Sequence, residues 1–367
     1  MPRPITKGRY FRVTIPTCLI LFMAYSEWAY SYRFCYEYVY KKSNAKHTMI
    51  AFLVIENFCL LTTLTSWLLI LIVKPGKMPM QVPPYDLERF VRYGSTVGND
   101  SINLDDDVMS STSTMKSTYV NSKLLEPPEI FECDKDGLPS WCHECGSLKL
   151  LRSHHSSITN ECIPMFDHYG TFVGSTIGKQ NYPYFLIFLI SIESLMCFTV
   201  ITVIVFSGIW NRLNAALIVF VIFSGIMTIL TGHLLYTTFS DLLQGDTTIE
   251  RLQRLRVHRQ QRKIRKSTHD PEEDIVYDAY VNIRHLEDKN LRAVVHLELS
   301  DRPYNNGLKR NCQLWLTGFQ SFTSPEEIAT FQSSMFSKEF KTHIYNKIEK
   351  NDYKIFGSGT KLESVTL

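Results

Sequence analysis

The chain has no internal repeat and no paired, interrupted apolar segments in corresponding halves, which removes the pattern by which a small-molecule transporter is read from sequence. Its first long apolar run, residues 13–32, is aromatic-rich and lacks the small-residue cleavage site of a secretory leader, so it reads as a retained helix. Nine cysteines are an odd number and cannot all pair, and Cys18, Cys59 and Cys197 fall inside apolar runs without an evident partner. No acid stands among residues 1–12, which hold Arg3, Lys7, Arg9 and Arg12, and none among residues 251–266, which hold eight basic residues.

What is present is unevenly spread. Over 367 residues the hydrophobic share is 45% and the net charge +3, and the mean hydropathy is near zero, totals that would suit a soluble protein. Residues 13–32, 49–73, 184–210 and 214–239, however, are each long enough to cross a hydrocarbon layer of about 30 Å as a helix. The expected fold class is therefore an all-α polytopic membrane protein with four transmembrane helices. The positive-inside rule places the N-terminal tail 1–12 in the cytosol, and four spans return the C-terminal tail 240–367 to the same side. Arg33, Lys41, Lys42 and Lys46, between the first two spans, run against that rule. Glu27, Glu56, Glu193 and His233 lie within or near the ends of these runs. A carboxylate at mid-membrane costs about 2.5–3.5 kcal/mol on insertion scales, so all four are expected to face the bundle, as a polar lining or as interhelical hydrogen bonds.

Residues 74–183 are polar and too long for a simple connection, and function is expected there. Within them, residues 104–122, with Asp105 to Asp107 and a Ser/Thr run at 110–114, are of low complexity. Asn99-Asp100-Ser101 is a glycosylation sequon that a cytosolic segment would not expose to the machinery; modification there would reverse the topology. In the C-terminal tail, the basic run 251–266 reads either as a segment drawn to anionic lipid or as a solvated amphipathic helix. Residues 275–283 and 293–299 alternate apolar and polar around a turn at 287–290, the pattern of a β-hairpin.

Chemistry gathers at 142–185. Cys142 and Cys145, two residues apart, can bind one tetrahedral ion, and His155 and Cys162 follow at zinc-finger-like distances. A structural Zn2+ is expected; such a site contributes about 10–16 kcal/mol to folding, enough to order a segment with little core of its own. The competing reading is a set of unconnected cysteines.

These residues resemble the DHHC-type protein S-acyltransferases, or palmitoyltransferases, whose cysteine-rich domain lies between the second and third of four spans. The family pattern runs Cys-x2-Cys, a basic stretch ending in His-His-Cys, Cys-x2-Cys, Asp-His-His-Cys, a further Cys, and an Asn before an aromatic. In that register stand Cys142, Cys145, Lys149, Arg152, His154, His155, Cys162, Asp167, His168, Gly178, Asn181 and Phe185, with no insertion or deletion. Lys74-Pro75-Gly76 looks like the family's Asp-Pro-Gly, and Thr247-Thr248-Ile249-Glu250 matches its Thr-Thr-x-Glu. Pro303, Tyr304, Gly307 and Asn311 look like its C-terminal aromatic and Asn motif, so the resemblance extends to about Leu316. It implies a cytosolic cysteine-rich domain at about 140–190. It also implies palmitoyl-CoA as donor, membrane lipid as surroundings, membrane-associated proteins with juxtamembrane cysteines as acceptors, and no nucleic-acid partner.

The departures matter as much. The family holds two zinc ions, and where the second set of ligands would stand the chain has Ser156, Thr159, Tyr169 and Thr176, so one ion is expected, held by Cys142, Cys145, His155 and Cys162. This is similar to a fungal branch of the family whose motif reads Asp-His-Tyr-Cys. After Asp167, His168 and Tyr169 the nucleophile position is Gly170. In the family the cysteine thiolate takes the acyl group from palmitoyl-CoA, with the Asp as orienter and the first His as base; a glycine cannot. Three readings follow. Thr171 or Ser156 substitutes, against the difficulty of making an alkoxide; the chain is a catalytically inactive member acting as a membrane adaptor; or it is an active member altered by the single base that separates Cys and Gly codons.

Overall fold

The computed structural model describes residues 8–79, 81–91, 124–210, 215–267, 277–317 and 324–357. The sequon at 99–101 and the low-complexity run 104–122 lie outside the described residues. In chain order the elements are α1 (Gly8–Glu27), a π-helical segment (Trp28–Lys42), α2 (Lys46–Ile72), β1 (Ile130–Cys133), β2 (Trp141–Cys142), β3 (Ser147–Leu148), β4 (His154–Ser156), β5 (Glu161–Ile163), β6 (His168–Gly170) and β7 (Ser175–Ile177). There follow α3 (Tyr182–Trp210), α4 (Ala215–Gln244), α5 (Thr248–Ser267), β8 (Tyr280–Arg284), β9 (Arg292–His296), α6 (Leu308–Leu316), α7 (Pro325–Met335), α8 (Lys338–Glu349) and β10 (Lys354–Ile355). The expectation of an all-α protein is thus corrected to a mostly helical one that also carries antiparallel strands. Contacts divide it into two compact units, one of residues 1–76, 167–241 and 315–318, the other of residues 77–166, 242–314 and 319–367.

Among the described residues three helices are long and apolar enough to cross a membrane: Lys46–Ile72, Tyr182–Phe206 and Ala215–Gln244. The first expected span, 13–32, is helical but does not reach that apolarity, because its second half brings in Ser26, Glu27 and Ser31. The helix also runs on through residues expected to form a loop, to Lys42. There the Arg33 side chain binds Glu37 at 2.8 Å one turn away, so the charges pair with each other along the helix surface.

In the first unit, the π-helical segment packs on α3 and α4 through Tyr30, Phe34, Cys35, Val39, Val203, Leu217 and Phe220. Rings dominate, with Phe34 and Phe52 stacked at 6.2 Å and Phe52 edge-on to Phe206 at 5.1 Å, an arrangement that adds to simple burial. Polar groups pair between helices: Thr63 donates to Ser191 at 3.0 Å, and Glu193 accepts from Thr231 at 2.5 Å and from the Cys197 thiol at 3.3 Å. Glu193 therefore serves interhelical bonding. Glu56 is buried, whereas His233 is exposed, against the expectation that it faces the bundle. Thr231 and Leu234 take the inward positions on that turn, and His233 falls on the opposite flank.

In the second unit, β1, β8, β9 and β10 form one antiparallel sheet in that order. The hairpin expected in the tail is its centre, with Val281 opposite Val295 and Ile283 opposite Ala293, all buried. Asn282 and Val294 between them are buried too, so both faces of this hairpin are covered rather than one. Buried Arg292 donates to Asn282 at 2.5 Å and to the Pro128 carbonyl at 2.9 Å, which offsets part of the cost of burying its charge; burial still lowers it to about 9. Ser324 and Ser337 cap α7 and α8, an N-cap chemistry Ser supplies well.

Candidate functional site

Two small hairpins of the second unit supply the metal-type donors. Cys142 pairs with Ser147 across β2–β3, and the Cys-x2-Cys-Gly turn closes at Gly146, whose φ of 57° suits glycine. His155 pairs directly with Cys162 across β4–β5. The donor atoms of Cys142, Cys145, His155 and Cys162 all lie within 4.8 Å of one another, and this group can hold a metal ion. The fit is geometric: tetrahedral Zn2+ with bonds of about 2.0–2.3 Å separates its ligand atoms by about 3.5–3.8 Å, and His155 Nδ1 lies 3.5 Å from the Cys142 sulfur and 3.3 Å from the Cys145 sulfur. The other ring nitrogen, Nε2, lies beside the carboxylate of exposed Glu144. Burial pushes the Cys142 thiol up, but the backbone N–H groups of Cys145 and Glu144 and the thiols of Cys162 and Cys145 outweigh it and hold it below the usual thiol range.

Ser156 and Thr159, at positions where the family keeps metal ligands, close a turn instead, with the Ser156 hydroxyl accepting from the N–H groups of Ile158 and Thr159 at 3.3 and 3.4 Å. Tyr169 and Thr176 stand opposite each other in the β6–β7 register. Among the described residues no second group of metal-type donors is gathered.

The first unit holds Asp167, His168 and Gly170. Asp167 is buried and lies 2.6 Å through Oδ2 from His168 Nδ1; His168 packs edge-on to Phe185 at 5.3 Å. Residues 168 and 170, two apart on one strand, point to the same face. With Tyr169, Thr171, Phe172 and Val173 they form one wall of an apolar cavity of about 280 Å³, whose other walls come from α1, α3 and α4, among them Leu19, Ile192, Met196 and Met227. A Cβ built on Gly170 would meet Val173 Cγ2 at 2.7 Å. Val173 is held by its carbonyl, which accepts from the Trp67 indole at 3.0 Å. After the hairpin, Asn181 bridges the chain, accepting from the Gly178 N–H at 2.9 Å and donating to the Thr176 carbonyl at 2.9 Å. Between them buried Lys179 donates to the Thr317 carbonyl at 2.8 Å; burial lowers it to about 8.

Arg152, the Thr-Thr-x-Glu motif, Tyr304 and Asn311 belong to the second unit. Arg152 forms a buried two-point ion pair with Glu250 and lies 4.1 Å over the Tyr304 ring. Burial alone would lower Arg152, but the Glu250 carboxylate outweighs it and raises it above the ordinary guanidinium value. Thr247 and Glu250 form a reciprocal capping box at the start of α5, with bonds of 3.0 and 3.2 Å. Asn311 donates to the Leu243 carbonyl at 2.9 Å and accepts from the Asn306 N–H at 3.0 Å. Motifs far apart in sequence are thus tied around the end of α4. Reading the sequence missed Glu144, Val173 and Trp67. Glu144 carries a signal, since it lies between the two cysteine ligands, whereas the other two act through contacts that only the fold creates.

A protein-family model described as DHHC palmitoyltransferase matches residues 135–255. The chain is 30% identical over 54% of its length to palmitoyltransferase PFA5 of Kluyveromyces lactis, covering 52% of that protein. It is 32% identical over 66% of its length to palmitoyltransferase PFA5 of Candida glabrata, covering 62% of it. It is also 29% identical over 63% of its length to palmitoyltransferase ZDHHC8 of Drosophila melanogaster, covering 20% of it. The chain thus spans about half to three fifths of the two PFA5 relatives.

Proposed function

Because the chain belongs to the DHHC palmitoyltransferase family, on the PFA5 branch, we propose that it binds a long-chain acyl-CoA with the acyl chain in the cavity of the first unit. On this reading Gly170 stands where the family's nucleophile would be and denies the chain a covalent acyl-enzyme. The observation that carries it is the cavity itself, apolar in its helical walls apart from Thr231, with His168 and Gly170 in the remaining wall. Each buried CH2 favours binding by about 0.8 kcal/mol. Asp167 holds His168 through Nδ1, which leaves Nε2 as the base that would take a proton from a thiol at position 170. With Gly170 that proton and that thiol are missing, and the site binds without self-acylation, as a membrane adaptor would.

In an active form the acyl group would pass from palmitoyl-CoA to cysteines of membrane-associated proteins. Zn2+, held by Cys142, Cys145, His155 and Cys162, would supply structural cross-linking and no chemistry. Four spans, with 13–32 as the first, and cytosolic termini complete the proposal. A palmitoyl-CoA analogue with a photoreactive chain end tests it in the reconstituted chain. Crosslinks at Ile192, Met196 and Met227, displaced by palmitoyl-CoA and lost in Met196→Trp, are expected. Crosslinks confined to the outward-facing Ile187, Ile190 and Ile204 overturn it.

A further inference from the structure

Three residues separate helix α5 from α4, one of the helices able to cross a membrane, and the start of α5 is tightly held within the second unit. Gly245 takes a φ of 70°, and a Cβ there would meet the Tyr304 carbonyl oxygen at 2.3 Å, so no other residue fits. Asp246 pairs with Arg254, and the Thr247–Glu250 capping box fixes the first turn. The first turn of α5 is therefore fixed by side chains within the second unit.

The two flanks of α5 differ. Glu250 and Arg254 face the second unit and are paired there. At about 100° per residue, Leu252, Leu255, Arg256, Arg259, Arg262 and Lys263 fall within one arc of about 120° on the other flank, and all six are exposed. No acid lies in that arc, and among the described residues none of its four bases has an ion-pair partner. Leu252 and Leu255, 41% and 37% exposed, occupy the turns nearest α4, while the bases occupy the later turns.

From this we infer that the outer flank of α5 lies on the headgroup layer of an anionic membrane, its leucines entering the apolar boundary and its bases pairing with lipid phosphates and carboxylates. A helix with an apolar edge and a basic face binds such an interface in the plane of the membrane. Long basic side chains bury their stems while their charges reach the headgroups. Attachment to α4 commits the surface to lipid rather than to a soluble polyanion, because α5 never leaves the vicinity of the bilayer that α4 would enter. The inference goes beyond acyl-CoA binding and does not depend on it.

The test uses the full chain in phosphatidylcholine nanodiscs with and without phosphatidylserine, followed by amide hydrogen exchange. Phosphatidylserine should slow exchange across residues 248–263 by about tenfold or more, given the attraction per base at a charged surface. The slowing should vanish in about 1 M salt, where the screening length falls to about 3 Å, and in the variant Arg256→Gln/Arg259→Gln/Arg262→Gln/Lys263→Gln. That variant leaves the capping box and the Asp246–Arg254 pair intact, and unchanged exchange in β8 and β9 checks its fold. Equal exchange in both lipids overturns the inference, as does a phosphatidylserine effect that survives in the variant. Slowing by added RNA or an acidic peptide, without an effect of phosphatidylserine, also overturns it.

Discussion

Gly170 stands where the packing, and not the backbone, demands a small residue. Its φ is not in the left-handed region, so a side chain is opposed by packing alone, through the Val173 methyl 2.7 Å from where a Cβ would stand. Gly170→Ala should destabilise the chain by about 1–3 kcal/mol, the usual cost of overpacking, and Val173→Ala should relieve most of that cost, as thermal unfolding of the double variant would show. Glu144 makes a different prediction. Its carboxylate lies beside His155 Nε2, the ring nitrogen that does not face the sulfurs, and if it supports that ligand Glu144→Gln should weaken Zn2+ binding about 10- to 100-fold in a chelator competition. At Lys179 the sign follows from burial. The folded ammonium titrates at about 8 against an ordinary 10.5. Between those values the unfolded chain holds more protons, so stability rises with pH. The stability of Lys179→Met minus that of the parent should therefore fall as pH climbs through this window; a flat difference would contradict the assignment.

At the scale of elements, the ion pair of Arg152 with Glu250 joins the β4–β5 region to the start of α5 inside the second unit. Removing one partner leaves a buried charge alone, and Glu250→Gln, which keeps an oxygen to accept from the Thr247 N–H, should cost about 3–5 kcal/mol; a double-mutant cycle with Arg152→Met should recover most of that cost. The sequence made the long apolar helices plain, because a run of apolar residues leaves few alternatives to burial or membrane. It also made plain the metal-type cluster, because Cys-x2-Cys spacing is tied to one coordination geometry, and the tail hairpin, whose two apolar stretches flank a polar turn at 287–290. It did not reveal that the first helix continues to Lys42, since Arg33, Glu37, Lys41 and Lys42 read as loop until their pairing along a helix is seen. Nor did it show that β1 and β10 flank the tail hairpin. The Ile130–Ile283 pairing joins segments remote in sequence, and short strands carry little signal of their partner. His233 misled because polarity inside an apolar run says that a partner is wanted, not which flank the residue takes.

At the scale of the molecule, two kinds of stability coexist. One unit is held by aromatic and apolar helix packing, the other by a small sheet, buried ion pairs and a gathered Cys3His set. Chelation should therefore unfold the β2–β5 hairpins while the helices keep their far-ultraviolet signal, and elemental analysis should find about one zinc per chain. The central claim is that an acyl cradle survives around a position without its sulfur. Intact mass spectrometry of the reconstituted chain after incubation with palmitoyl-CoA tests this most directly, with Gly170→Cys beside the parent. The account predicts no added mass on the parent and one hydroxylamine-labile palmitoyl group on Gly170→Cys. A palmitoylated parent, or a Gly170→Cys chain that stays unmodified although folded and zinc-loaded, would contradict it.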